Sequence, residues 1–187
     1  GDALRVLGIA GSLRAGSYNR SLLEAAVELA PEGMVIETFD RLGEIPPYDA
    51  DVETEGDPDA VAALKQAIDG SDALLWVTPE YNYSVPGVLK NAFDWASRPA
   101  RSSVLIGRPA AVTGVSGGGS GTARAQMALR QSMVFTRTPV MPGPELLVSR
   151  GGERFDDDGV LTDEGIRDRL VDFLERFDEF ARRFRDA

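Results

Sequence analysis

Three polar stretches hold the residue types that can do chemistry in this chain. The first is Gly11-Ser12-Leu13-Arg14-Ala15-Gly16-Ser17-Tyr18-Asn19-Arg20, set between an apolar run and a helical pattern. Free backbone N–H groups and the positive end of a helix dipole meet at such a junction, which suits a phosphate. The hydroxyls of Ser12 and Ser17 add donors, and Arg14 adds a charged fork. The second is Pro79-Glu80-Tyr81-Asn82-Tyr83-Ser84-Val85-Pro86, running into Gly87-Val88-Leu89-Lys90-Asn91-Ala92-Phe93-Asp94-Trp95. A flat, amphiphilic ring system needs an aromatic wall and a rim of backbone hydrogen-bond partners. Tyr81 and Tyr83 supply the wall, the Glu80 to Tyr83 backbone supplies the rim, and Asn82 tolerates a tight turn. The third is the glycine-rich run that begins at Ser116 and Gly117.

The composition excludes many other mechanisms. Among its 187 residues the chain has no cysteine and no histidine, which removes Ser-His-Asp and Cys-His catalysis, thiol redox centres and the usual zinc sites. Redox work with this composition requires an organic cofactor. A formal net charge of -10 argues against nucleic acid or an anionic membrane as partner. No window approaches an unbroken apolar run of about 18 residues, so no membrane span is expected. The sequence enters a strand without a basic-then-apolar leader, which gives a cytoplasmic location as the expectation.

Alternating strand and helix patterns place these stretches. Strands are expected at Leu4–Ala10, 34–39, 73–78, 109–115 and 136–141. Helices are expected at 17–30, 59–69, 86–95, 122–132 and 163–183, with 41–57 as a long Pro-containing loop. Five strands alternating with helices imply a single α/β domain over residues 1–187. Its expected form is a three-layer, doubly wound parallel sheet in the flavodoxin-like order 2-1-3-4-5. Ligands of such sheets sit at the carboxyl ends of the strands, near the switch between strands 1 and 3. The polar loops follow strands 1, 3 and 4, so one shared site is expected there.

Three loop types compete for the phosphate. Gly11 and Gly16 bracket four residues as in a P-loop, but Ser17 stands where that motif needs lysine, which disfavours a nucleoside triphosphate. The dinucleotide fingerprint G-x-G-x-x-G is not supplied by Gly8-Ile9-Ala10-Gly11-Ser12-Leu13-Arg14. A flavin mononucleotide (FMN) phosphate fits the Ser/Asn-rich loop best.

Three motifs then carry a family resemblance: G-S-x-R-x-x-S-x-N-R from Gly11 to Arg20, P-E-Y-N-x-x-x-P-G-x-L-K-N-A-x-D-W from Pro79 to Trp95, and a Ser, Gly-rich, R-A-Q-x-x-L-R pattern from Ser116 to Arg130. The chain resembles the NAD(P)H-dependent FMN reductases, which include chromate, quinone and azo-dye reductases, over nearly its whole length. The resemblance implies that Ser12, Arg14, Ser17 and Asn19 hold the FMN phosphate. It implies that Pro79, Glu80, Tyr81, Asn82 and Tyr83 line the isoalloxazine, and that Ser116 and Gly117 close the far side. No catalytic side chain and no metal are implied. FMN does the chemistry, NAD(P)H is the co-substrate, and a quinone, flavin, azo dye or chromate is the small-molecule acceptor. Glu80 then positions its loop rather than serving as an acid. The resemblance further implies a homodimer or homotetramer, with 41–57 and 86–95 near subunit contacts. The rival reading is a flavodoxin-like FMN electron carrier that does not oxidise nicotinamides.

Overall fold

Apolar runs with no polar alternation become strands covered on both faces. The structure, a computed structural model, describes residues 2–185. Its strands are β1 (Leu4–Ala10), β2 (Met34–Thr38), β3 (Ala73–Val77), β4 (Ala110–Val115) and β5 (Leu146–Val148), all parallel, in the order β2-β1-β3-β4-β5. Every residue of β3 and β4 is buried. In register, Gly8 of β1 faces Leu75 of β3, and Leu75 faces Ala111 of β4.

Helices cover both faces. α1 (Tyr18–Glu28) and α6 (Glu164–Arg185) pack on one side through Leu22, Leu23, Leu170, Phe173 and Phe177. On the other side lie α3 (Asp59–Asp69), α4 (Gly87–Ala96) and α5 (Ala123–Phe135), which bury Leu64, Ile68, Phe93, Trp95 and Leu129. α2 (Ala50–Glu55) sits between β2 and α3. Each fully buried large side chain contributes about 1.5–3 kcal/mol of transfer free energy.

Two sequence expectations are corrected. The fifth strand is Leu146–Val148, not 136–141. In the expected segment only Val140 bridges to Ala110, because Pro139 and Pro142 have no N–H with which to extend a ladder. The loop 41–57 contains a 3-10 turn, Leu42–Glu44, and the helix α2, whose N-cap Asp49 accepts the Asp51 N–H at 2.8 Å.

Candidate active site

The polar loops converge because β1, β3 and β4 are neighbours in the sheet and point the same way. The Gly11 N–H donates to Val77 O at 2.8 Å, and the Thr78 N–H donates to Thr113 O at 2.9 Å. Gly11 has to be glycine at this seam: a Cβ there would fall 2.7 Å from Leu89 Cδ2 and 3.1 Å from Pro79 Cδ.

In the first loop, Ser17 caps α1 and its Oγ accepts the Asn19 N–H at 3.2 Å. Ser12 Oγ accepts the Arg14 N–H at 3.3 Å. Among the described residues, the N–H groups of Ser12, Leu13, Ala15, Gly16 and Tyr18 have no acceptor. Arg14 is exposed and donates from Nη2 to Gly16 O at 3.0 Å. Asn19 is turned inward: Nδ2 donates to Val115 O and Oδ1 accepts from Val115 N, both at 2.9 Å. Its amide fastens α1 to the end of β4. Arg20 makes no ion pair among the described residues, although Glu24 and Asp40 line the same cleft.

The second loop folds into a tight hairpin. Tyr81 and Ser84 exchange two backbone hydrogen bonds of 3.0 Å, and the central residues Asn82 and Tyr83 have φ of 50° and 67°. Two left-handed residues in succession make a type I′ turn, which asparagine tolerates and tyrosine resists. Tyr81 and Tyr83 both stand exposed.

Arg124, which the sequence reading did not single out, holds this hairpin. Its guanidinium lies 3.6 Å from the Tyr83 ring centroid, and its Nη2 is 2.5 Å from Glu80 Oε2. Glu80 also accepts the N–H groups of Arg124 at 2.9 Å and Ala125 at 3.1 Å. Thr122 enters α5 with φ of 60° and offers no side-chain cap, so Glu80 caps that helix from 44 residues away. Burial raises the Glu80 carboxyl, but the Arg124 side chain and the two N–H groups outweigh it and hold the group below its ordinary value. Glu80 is therefore an ionised strut, unsuited to deliver a proton. No signal in the sequence linked Glu80 to Arg124, because the contact depends on the crossover between them.

In the third loop, Ser116 Oγ donates to Gly118 O and accepts the Gly121 N–H, both at 2.9 Å. The Arg150 N–H donates to Gly118 O at 2.8 Å and the Gly151 N–H to Ser116 O at 2.9 Å, tying this loop to the segment after β5. Gly117, Gly118 and Gly119 are exposed. Two concavities flank the three loops. One of about 330 Å³ lies beside Ser12, Leu13 and Arg20, and one of about 440 Å³ lies between the glycine loop and Arg150. Tyr81 and Tyr83 border neither and are exposed.

Residues 4–153 match the family model for NADPH-dependent FMN reductases. The chain belongs to that family. An NAD(P)H-dependent FMN reductase of Pseudomonas aeruginosa is 47% identical over 184 residues, covering 98% of each chain. A quinone reductase of Pseudomonas putida is 44% identical over 169 residues, covering 90% of each. Among solved structures, the flavoenzyme NAD(P)H:(acceptor) oxidoreductase FerB of Paracoccus denitrificans superposes with a TM-score of 0.89 at 36% identity, covering 97% of this chain and 99% of that one. Family membership makes the protein an oxidoreductase that uses FMN, with NAD(P)H as electron donor. The loop Gly11 to Arg20, the hairpin after β3 and the glycine turn after β4 all lie within the matched residues 4–153.

Proposed function

We propose that the protein is an NAD(P)H:quinone oxidoreductase, acting as one FMN-binding domain over its whole length in the cytoplasm. Related acceptors such as free flavin, azo dyes or chromate would share the same rim. The supporting observation is the donor set after β1: five N–H groups without an acceptor among the described residues, two serine hydroxyls and one exposed arginine, in a chain of net charge -10. That set fits a phosphate dianion. The exposed faces of Tyr81 and Tyr83 fit the edge of a flat ring system.

FMN, when bound, would supply the two-electron redox chemistry between NAD(P)H and the acceptor. The chain's own residues bind and orient. Ser12, Arg14 and Ser17 hold the phosphate, with Asn19 bracing their loop from within. Pro79, Glu80, Tyr81, Asn82 and Tyr83 form the wall, through side chains at the tyrosines and through backbone elsewhere. Ser116 and Gly117 close the far side. No side chain here is poised to move a proton. This suits hydride transfer, for which positioning is the principal contribution of the protein.

The test is a spectrum of the purified protein followed by anaerobic mixing with NADH and NADPH. A yellow protein whose flavin absorbance bleaches rapidly and returns on adding a quinone is expected. A bound flavin that neither nicotinamide reduces would identify an electron carrier instead.

A further inference from the structure

The cleft of about 330 Å³ opens between the carboxyl ends of β1 and β2. The sheet order puts it on the far side of β1 from β3 and the Tyr81–Ser84 hairpin. Its volume is at the lower end of the range for small-molecule sites. The Phe39 N–H donates to Gly8 O at 3.0 Å, so the chain leaves β2 still alongside β1 and then turns through Leu42–Glu44. α1 returns on the other side and contributes Arg20, Leu23 and Glu24 to the lining. Leu13 leans from the phosphate loop toward the turn: a Cβ on Gly43 would lie 3.3 Å from Leu13 Cδ2.

The charges in the cleft restrict what can occupy it. Arg41 is engaged within the chain, donating to Glu44 at 2.9 Å and to Asp59 at 2.7 Å. Arg20, Glu24 and Asp40 also line the cleft, and their side chains make no hydrogen bond or ion pair among the described residues. Arg20 and Glu24 are four residues apart on α1, a spacing at which opposite charges commonly pair. One cation and two carboxylates are thus left to meet a ligand. Two carboxylates repel a bare oxyanion. They suit hydroxyl and amine donors, with one anionic group placed at Arg20.

A nucleotide has that distribution of groups. In parallel sheets that hold dinucleotides, the loop after the first strand takes phosphate and a carboxylate beyond the second strand takes the ribose hydroxyls. Asp40 stands two residues beyond β2. Leu13, Phe39 and Leu42 offer a base apolar surface, and Glu24 is an acceptor for an exocyclic amine. Ser12 and Leu13 belong both to the phosphate loop and to the cleft lining. A nucleotide in the cleft is therefore contiguous with a phosphate held in the loop. The nicotinamide of NAD(P)H has to reach the flavin ring beside the hairpin, on the other side of that loop. This leaves the cleft to a nucleotide joined to the flavin itself.

We propose that the cleft is a subsite for the adenylate half of a flavin dinucleotide, so that the chain accepts flavin adenine dinucleotide (FAD) as well as FMN. The inference rests on the phosphate-loop reading above. Asp40 holds the ribose, Arg20 the second phosphate, and Leu13 and Phe39 flank the base.

Fluorescence titration of the flavin-depleted full chain with FMN and with FAD is the test. FAD is expected to bind at least as tightly as FMN. Asp40→Ala is expected to weaken FAD about tenfold, as for one hydrogen bond to a charged group, and to leave FMN as it was. Thr38→Trp, which fills the cleft from the exposed end of β2, is expected to act in the same direction. The retained FMN affinity reports that both variants fold. Unaltered FAD affinity in both variants would overturn the inference, because the adenosine then lies in solvent. A raised KM for NADPH in the FMN-loaded variants, with FAD binding unaltered, would overturn it by giving the cleft to the nicotinamide nucleotide. A wild type that binds neither flavin would remove the phosphate-loop reading, and this inference with it.

Discussion

Asn19 and Val115 form a closed pair: one amide side chain satisfies both the N–H and the C=O of a single residue at the end of β4. The motif position that the resemblance gave to the phosphate thus reaches away from the loop surface, into the seam between α1 and β4. Removing the amide leaves two buried backbone groups without partners. Each such loss costs about 1–3 kcal/mol. Asn19→Ala is expected to lower unfolding stability by about 2–4 kcal/mol in urea, and Asn19→Leu should do no better despite its similar size.

Arg14 bears on the cofactor and not on the fold. It is exposed, and its guanidinium donates to Gly16 O two residues along and lies 5.8 Å from the Tyr18 ring centroid. Arg14→Ala is expected to leave the thermal midpoint unchanged and to raise the FMN dissociation constant about ten- to hundredfold, the range for losing one charge-assisted bond. Fluorescence titration with FMN measures this directly, and equal affinities would remove Arg14 from the phosphate site.

Glu80 sets a pH dependence. Its carboxyl is held below its ordinary value in the fold, so its contribution to stability is fully present above the ordinary carboxylate range. That contribution disappears as the pH falls through the lowered folded value. Glu80→Gln is therefore expected to melt below wild type at about pH 7, with the gap narrowing as the pH falls through the ordinary carboxylate range and below it. A gap of constant size across that interval would show that the carboxylate charge is not what caps α5.

The Tyr81–Ser84 turn depends on left-handed backbone at Asn82. Glycine adopts φ of 50° freely, and a β-branched residue does not. Asn82→Gly is expected to retain FMN, whereas Asn82→Val should forfeit about 1–3 kcal/mol of local order and release the flavin on gel filtration.

Sheet order and the meeting of the three loops were legible from the chain, because uninterrupted apolar runs such as 73–77 and polar loops after alternate strands leave few topologies open. The fifth strand was misplaced because Thr138, Val140 and Met141 look strand-like while the prolines between and after them block pairing. Leu146–Val148, only three residues long, carries almost no pattern of its own. α2 escaped notice because its six residues, Ala-Asp-Val-Glu-Thr-Glu, contain no apolar stripe. Arg124 escaped because its partners Glu80 and Tyr83 become neighbours only once β4 and α5 have been laid beside β3. Contacts of that kind depend on the folded crossover and leave no local periodicity.

The three turns of the site are cross-tied by groups that face inward: Asn19 to β4, Glu80 to α5, and Gly118 to Arg150. The side chains of Leu13, Tyr81 and Tyr83 are open to solvent, with the Tyr83 ring resting on the Arg124 guanidinium. A side-chain change at Leu13 or Tyr81 therefore alters the surface of the rim without cutting any of these ties.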